Sequence, residues 1–366
     1  MNSLYIHFPF CKHLCNYCDF YKNKLLTSDQ IANFQQKLLN EIKLNDDFLS
    51  SQGVSLKKLK TLYIGGGTPS LWGMKGASFI EKHIINRYSV SEDFEFTIEV
   101  DPDTWTEEEI ESWLNIGVTR FSVGAQSFNE SFIAKMDRQH TKDQIIELLS
   151  YLKKLEVNYS VDLMLGLPES VQLGRDVKKE IIEFTNYMPS HFSVYILKTR
   201  KNYPHNEQIP DEEYIEKEYI EVCKTLEEQG YKQYEVSNFA RNDRVSKHNL
   251  KYWACESVAA LGSNATGLIS KGESALRYQW KSASEGFKEE KLSCEEFMIE
   301  RVYMGLRSKL GFDFGGFDEQ VMVKLFKKWK SFNYLSQKNA QHITLNSKGY
   351  LMLDSILDDL FMQRLL

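Results

Sequence analysis

The chain is short of several things whose absence narrows its chemistry. It has no surplus of positive charge: 45 Lys and Arg against 51 Asp and Glu leave a net −6. That balance argues against generic polyanion binding, so nucleic acid is not an expected partner. No stretch approaches the ~18 uninterrupted apolar residues of a membrane-spanning helix. The opening "MNSLYIHFPF" has no basic segment and meets His7 and Pro9 before a signal-length apolar core can form. The expected home is therefore the cytoplasm, where structural disulfides are disfavoured. Internal repeats and low-complexity segments are also missing. Cysteine is scarce, six in 366 residues, and Cys223, Cys255 and Cys294 lie far apart, as small buried hydrophobes would. The other three, Cys11, Cys15 and Cys18, crowd into a C-x3-C-x2-C pattern with Phe20 where a fourth would continue it.

What is present is a regular alternation. Runs rich in β-branched and aromatic residues occur at 4–10, 61–67, 94–101, 120–127, 159–168 and 191–197. Helical patterns fill the intervals. One opens at Thr27 with Gln30 as its capping partner, another at Thr106 with Glu109, and others run over 77–87, 143–155 and 171–186. Strand–helix alternation predicts a parallel sheet with crossover helices, and periodicity leaves open an open doubly wound sheet or an incomplete barrel. The cysteines, "GGGTP", "EVDPD", "GAQS" and "GLP" all fall at C-terminal ends of strands, the rim where such folds build sites. After residue 200 the rhythm changes: 201–210 reads as a loop and 211–229 as a charged helix ending at Gly230. Three units are expected: 1–200 with the strand–helix repeat, 201–290 of mixed character, and 291–366 mainly helical.

Three clustered thiols in a reducing compartment point to metal or catalysis. Zinc would need a fourth ligand, which His7 or His13 could supply, although no second cysteine pair exists. A [4Fe–4S] cluster on three thiolates instead keeps one iron open for an outside ligand. The pattern, with Tyr17 before Cys18, resembles that of radical S-adenosylmethionine (SAM) proteins. The resemblance implies that Cys11, Cys15 and Cys18 hold a [4Fe–4S] cluster whose free iron chelates SAM. It extends through Tyr5, His7, Pro9 and Phe10, then "GGGTP", "GAQSF" and "DLMLGLP", to the coproporphyrinogen dehydrogenase-like group. That implies an incomplete (β/α)6 barrel and a SAM pocket of Tyr5, Tyr17, Gly66, Gly67, Thr68, Glu99, Gln126, Arg138 and Asp162. An acid such as Asp162 inside an apolar run is notable without any resemblance, because burying an unpaired carboxylate is costly.

Phe20 separates the chain from the dehydrogenases, whose pattern ends in another cysteine, and "CNYCDF" is similar to the HemW branch, described as haem chaperones. That branch shares H-N-x-x-Y-W, met here by His248, Asn249, Tyr252 and Trp253, which implies haem contact. Where the family commonly has a histidine shortly afterwards, this chain has Asn264. The resemblance implies a haem carrier with a [4Fe–4S] cluster and SAM, haem-accepting apoproteins and an electron donor as partners. The alternatives are a radical SAM enzyme acting on a porphyrin, either coproporphyrinogen III dehydrogenase or an anaerobic haem-opening enzyme, and a zinc-stabilised binding module. The stretch "VKLFKKWKSF" (323–332) admits a contact with a membrane surface or a haem-accepting partner, or a helix with Val321, Leu325 and Trp329 facing a core and lysines facing water.

Overall fold

The computed structural model describes residues 1–282, 286–336 and 341–365. Its centre is six parallel strands, β1 (Ser3–Phe8), β2 (Lys58–Gly66), β3 (Ser89–Val100), β4 (Arg120–Gln126), β5 (Asn158–Leu165) and β6 (His191–Ile196). They lie side by side in chain order. A doubly wound sheet reverses its winding at a switch point. This sheet never does, which is the winding of an incomplete (β/α)6 barrel.

The expected boundary at 200 is crossed by the sheet. Strands β7 (Lys232–Gln233) and β8 (Asn238–Ala240) continue it antiparallel beyond β6, and β9 (Ala259–Leu261) lies parallel against β1 at the other edge. An antiparallel sheet of β10 (Thr266–Lys271), β11 (Ser274–Trp280) and β12 (Phe287–Leu292) follows.

The longer helices are α1 (Ser28–Ser51), α2 (Gly73–Ile80), α3 (Glu107–Asn115), α4 (Lys142–Lys154), α5 (Val177–Thr185), α6 (Glu212–Glu228), α7 (Lys247–Trp253), α8 (Cys294–Leu306), α9 (Glu319–Ser331) and α10 (Leu353–Met362), with short ones at Glu130–Lys135 and Ser347–Leu351. Gln30 Oε1 accepts from Thr27 N, and Thr106 Oγ1 accepts from Glu109 N, so both expected start signals operate. The helix expected over 171–186 begins only at Val177. Before it, Gly174 takes φ +60° and Arg175 turns inward to Glu180 and Glu218, which holds the preceding residues as a loop. The first strand also stops early, at Phe8, because Pro9 has no N–H to donate; Phe10–Cys11 forms its own short pairing with Asn23–Lys24.

The six strands present two unlike faces. One is apolar, with Leu4, Ile64, Phe96, Phe121, Val161 and Phe192 buried in the main core beneath the helices. The opposite face carries Thr61, Glu95, Arg120, Ser160 and His191, all buried and polar. Beyond residue 290 a second core gathers Val302, Leu306, Leu325, Trp329, Ile356 and Leu360 from α8, α9 and α10. Cys223 and Cys255 are buried as expected, whereas Cys294 is exposed, because it follows the capping residue Ser293 at the solvated start of α8. Trp329 is in the core, with Nε1 donating to Asp359 Oδ2 at 2.9 Å, while Lys324, Lys327, Lys328 and Lys330 face outward. Among the described residues, no helix is long and apolar enough to cross a membrane.

Candidate functional site

The cysteine loop is pinned to the glycine turn after β2. Gly67 N donates to Phe8 O and Thr68 N to Phe10 O, both at 2.7 Å. A Cβ at Gly67 would stand 2.5 Å from Phe10 O, and one at Gly66, whose φ is +116°, would stand 2.5 Å from the His7 ring. Those two positions need glycine for close approach. Cys11, Cys15, Tyr17 and Cys18 then line one cavity together with Thr68 and Arg138. Burial pushes the Cys11 thiol up and the Cys15 thiol up to about 11, so binding a metal there displaces protons. Among the described residues, no three His, Cys, Asp or Glu side chains are grouped so as to hold one metal ion. Zinc ligands converge within about 2.3 Å of a point. Three soft thiols opening on a shared cavity suit an iron–sulfur cluster instead, where each thiolate meets its own iron.

Next to this cavity lies a larger one of about 420 Å³ at the C-terminal rim of the strands, reached by Tyr17, Gly66, Gly67, Thr68, Glu99, Gln126, Arg138 and Asp162. Eight of the nine residues expected to bind SAM therefore meet on one surface. Tyr5, the ninth, lies deeper, with its hydroxyl 3.0 Å from His7 Nδ1. Glu99 accepts from Tyr63 Oη at 2.9 Å and from Gly66 N at 3.1 Å. Burial and then the charge of Asp162 nevertheless raise its carboxyl to about 7. Asp162 is raised by burial too, although Ser122 Oγ donates to it at 3.1 Å. Two carboxylates that disfavour one another's charge make a wall that favours a cation. SAM brings a sulfonium and an ammonium. Arg138 supplies the opposite sign, its Nη2 donating to Asp101 Oδ2 at 2.5 Å and to Gly124 O at 2.7 Å. Gln126 enters the cavity from a backbone with φ +66°, at a register shift in the β4–β5 pairing.

The haem motif lies elsewhere. Helix α7 caps the N-terminal end of the strands, where Glu95 accepts from Lys247 N at 2.9 Å and His248 N at 2.8 Å. His248 Nδ1 bonds Thr61 Oγ1 at 2.8 Å, five residues from Gly66 along β2, or about 16 Å from the rim. Its Nε2 lies 3.3 Å from Tyr252 Oη, and the side chain is 1% exposed. Burial lowers its pKa to about 3, so it is neutral with both nitrogens engaged. Asn249 N bonds the capping Ser246 Oγ, and Trp253 stacks under Arg307 at 5.3 Å. In this arrangement His248 has no free nitrogen to offer a haem iron. Asn264, in a turn after β9 with φ +68°, adopts a backbone that asparagine tolerates well.

Sequence reasoning missed Asp101, His140, Tyr63 and Tyr195. Arg138 and His140 both face Asp101, and they outweigh its burial to hold its carboxyl well below the ordinary range. A signal was available: Glu95, Thr97, Glu99 and Asp101 recur at a period of two, as do Arg120, Ser122 and Gly124. Polar residues in alternation on a buried strand mark the inward face.

Strand order, cysteine loop and rim cavity fit a radical SAM protein, and a family model described as Radical SAM superfamily matches residues 5–172. The Heme chaperone HemW of Lactococcus lactis subsp. lactis (strain IL1403) is 30% identical over 369 residues, covering 95% of this chain and 94% of that protein. HemW of Bacillus subtilis (strain 168) is 31% identical, covering 85% and 84%. The chain belongs to the HemW family. Among solved structures, the coproporphyrinogen III oxidase HemN of Escherichia coli, reported as a radical SAM enzyme, is similar with a TM-score of 0.79 over 98% of this chain and 89% of that one. At 19% identity that likeness concerns the fold.

Proposed function

We propose that this chain is a haem chaperone: it holds a [4Fe–4S] cluster on Cys11, Cys15 and Cys18, binds SAM against the rim, carries haem and releases it to acceptor apoproteins in the cytoplasm. The observation that carries this reading is the near full-length similarity to curated HemW proteins. The cluster, when bound, supplies an iron open to SAM and a route for an electron. Tyr17, Gly66, Gly67 and Thr68 shape the rim around that ligand, Glu99 and Asp162 attract its positive groups, and Arg138 and Gln126 offer donors to its carboxylate and hydroxyls. Residues 1–200 with the edge strands form the cofactor unit, and 291–366 form a separate helical cap. The exposed lysines of α9 suit a partner or anionic surface, and an electron donor completes the set.

The test is anaerobic reconstitution followed by incubation with SAM, reductant, haem and coproporphyrinogen III. The expected result is about four irons and four sulfides per chain, stoichiometric haem binding, transfer to an apo-acceptor, and both tetrapyrroles recovered intact. Catalytic consumption of either tetrapyrrole defeats the chaperone reading, and zinc without sulfide defeats the cluster.

A further inference from the structure

The rim cavity is larger in chemistry than SAM requires. Its acids, Glu99 and Asp162, sit inside the strands, Asp162 three residues before the end of β5. On the side of β5 and β6 the lining becomes apolar and aromatic toward the strand ends, with Met164, Tyr195, Ile196 and Leu197 facing Phe20, while Asp101, Gln126 and Arg138 keep the opposite side polar. SAM, with its sulfonium, ammonium, carboxylate and hydroxyls, matches the polar floor, and its adenine suits the apolar patch of Met164, Ile196 and Leu197, which leaves the rings of Phe20 and Tyr195 without a partner. Phe20 is 70% exposed at the mouth, and Tyr195, though carried by a barrel strand, is 41% exposed because it faces the cavity. Two exposed aromatic rings lining one opening fit a flat apolar ligand. Lys198 lines the same cavity from its edge. Arg200 and Asp19 form an exposed ion pair between the β6 loop and the cysteine loop, across the mouth.

We propose that haem seats on this outer wall of the rim cavity, stacked against Phe20 and Tyr195 with its carboxylates toward Lys198, rather than on His248. The proposal rests on the haem-carrier reading. It gives Phe20, which stands where the related dehydrogenases carry a further cysteine, a positive role: a large apolar surface at the position where haem enters. It also accounts for His248 by its observed contacts, as a neutral residue that seats α7 on Thr61 and Tyr252.

The test titrates haemin into cluster-loaded protein, followed by its Soret band, for the parent and for Phe20→Ser, Lys198→Glu and His248→Gln. SAM affinity is measured in parallel by calorimetry. Phe20 and Lys198 are exposed, so these two variants fold as the parent does. The expected result is about tenfold weaker haemin binding for Phe20→Ser, from loss of one aromatic contact, a smaller loss for Lys198→Glu, and unchanged SAM affinity in both. His248→Gln binds haemin as the parent does. Parent-like haemin binding in both Phe20→Ser and Lys198→Glu overturns the proposal, as does loss of haemin confined to His248→Gln. A parent that binds no haemin at all overturns the carrier reading as well, which separates the two failures.

Discussion

Glu99 and Asp162 face the same cavity, and the energetic cost of charging both without a ligand is the source of their affinity for one. Glu99 titrates near 7 in the folded chain against an ordinary 4.5. Between those values the folded state holds a proton that the unfolded state has released, so this residue makes stability fall as pH rises through that window. The ligand-free Glu99→Gln variant should lose that part of the slope, a difference visible in urea midpoints between pH 5 and pH 8. The same variant should bind SAM about tenfold or more weakly at pH 8, since a charged acceptor contributes about 1.5–3 kcal/mol. Equal affinity for parent and variant by calorimetry would remove Glu99 from the SAM site.

At the scale of the element, the cysteine loop depends on the glycine turn beside it. Gly67→Ala pushes a methyl onto Phe10 O and should cost about 1–3 kcal/mol while displacing Cys11, so the variant should retain less iron and sulfide after reconstitution. Helix α7 depends in the same way on one carboxylate. Removing the acceptor in Glu95→Ala leaves the N–H groups of Lys247 and His248 unpaired, an expected loss of about 1–3 kcal/mol in chemical denaturation with iron content unchanged.

These two elements also mark how far the sequence could be read. The cysteines, "GGGTP" and Glu99 were legible because spacing along a strand fixes which side chains share a rim. The place of His248 was not, because a motif of this kind records residue types and says nothing about which end of a barrel its helix covers. Only the contacts to Thr61 and Glu95, 187 and 153 residues away, decide that. The late start of α5 was hidden for a related reason: Arg175 reads as an ordinary helical residue until Glu180 and Glu218 are placed around it.

Over the whole molecule, the sheet and the helical cap have separate cores. Trp329→Ala empties the middle of the second core and leaves Asp359 without its indole donor, an expected loss of about 3–5 kcal/mol. Because that core is not the one beneath the rim, cluster content and SAM binding should persist at temperatures below the lowered transition. Loss of iron in step with the cap, followed by absorbance during thermal unfolding, would mean that the two cores melt as one.

The seating of α7 across the N-terminal ends of the strands has a kinetic side. With α7 seated at the far end of the strands, both ligands are assigned to the rim cavity, and with haem on its outer wall SAM lies beneath haem. SAM and haem are then stacked one above the other, and the last to enter is the first to leave. Haem bound at the doorway should slow the escape of SAM, and an acceptor that removes haem would also release the SAM held below it.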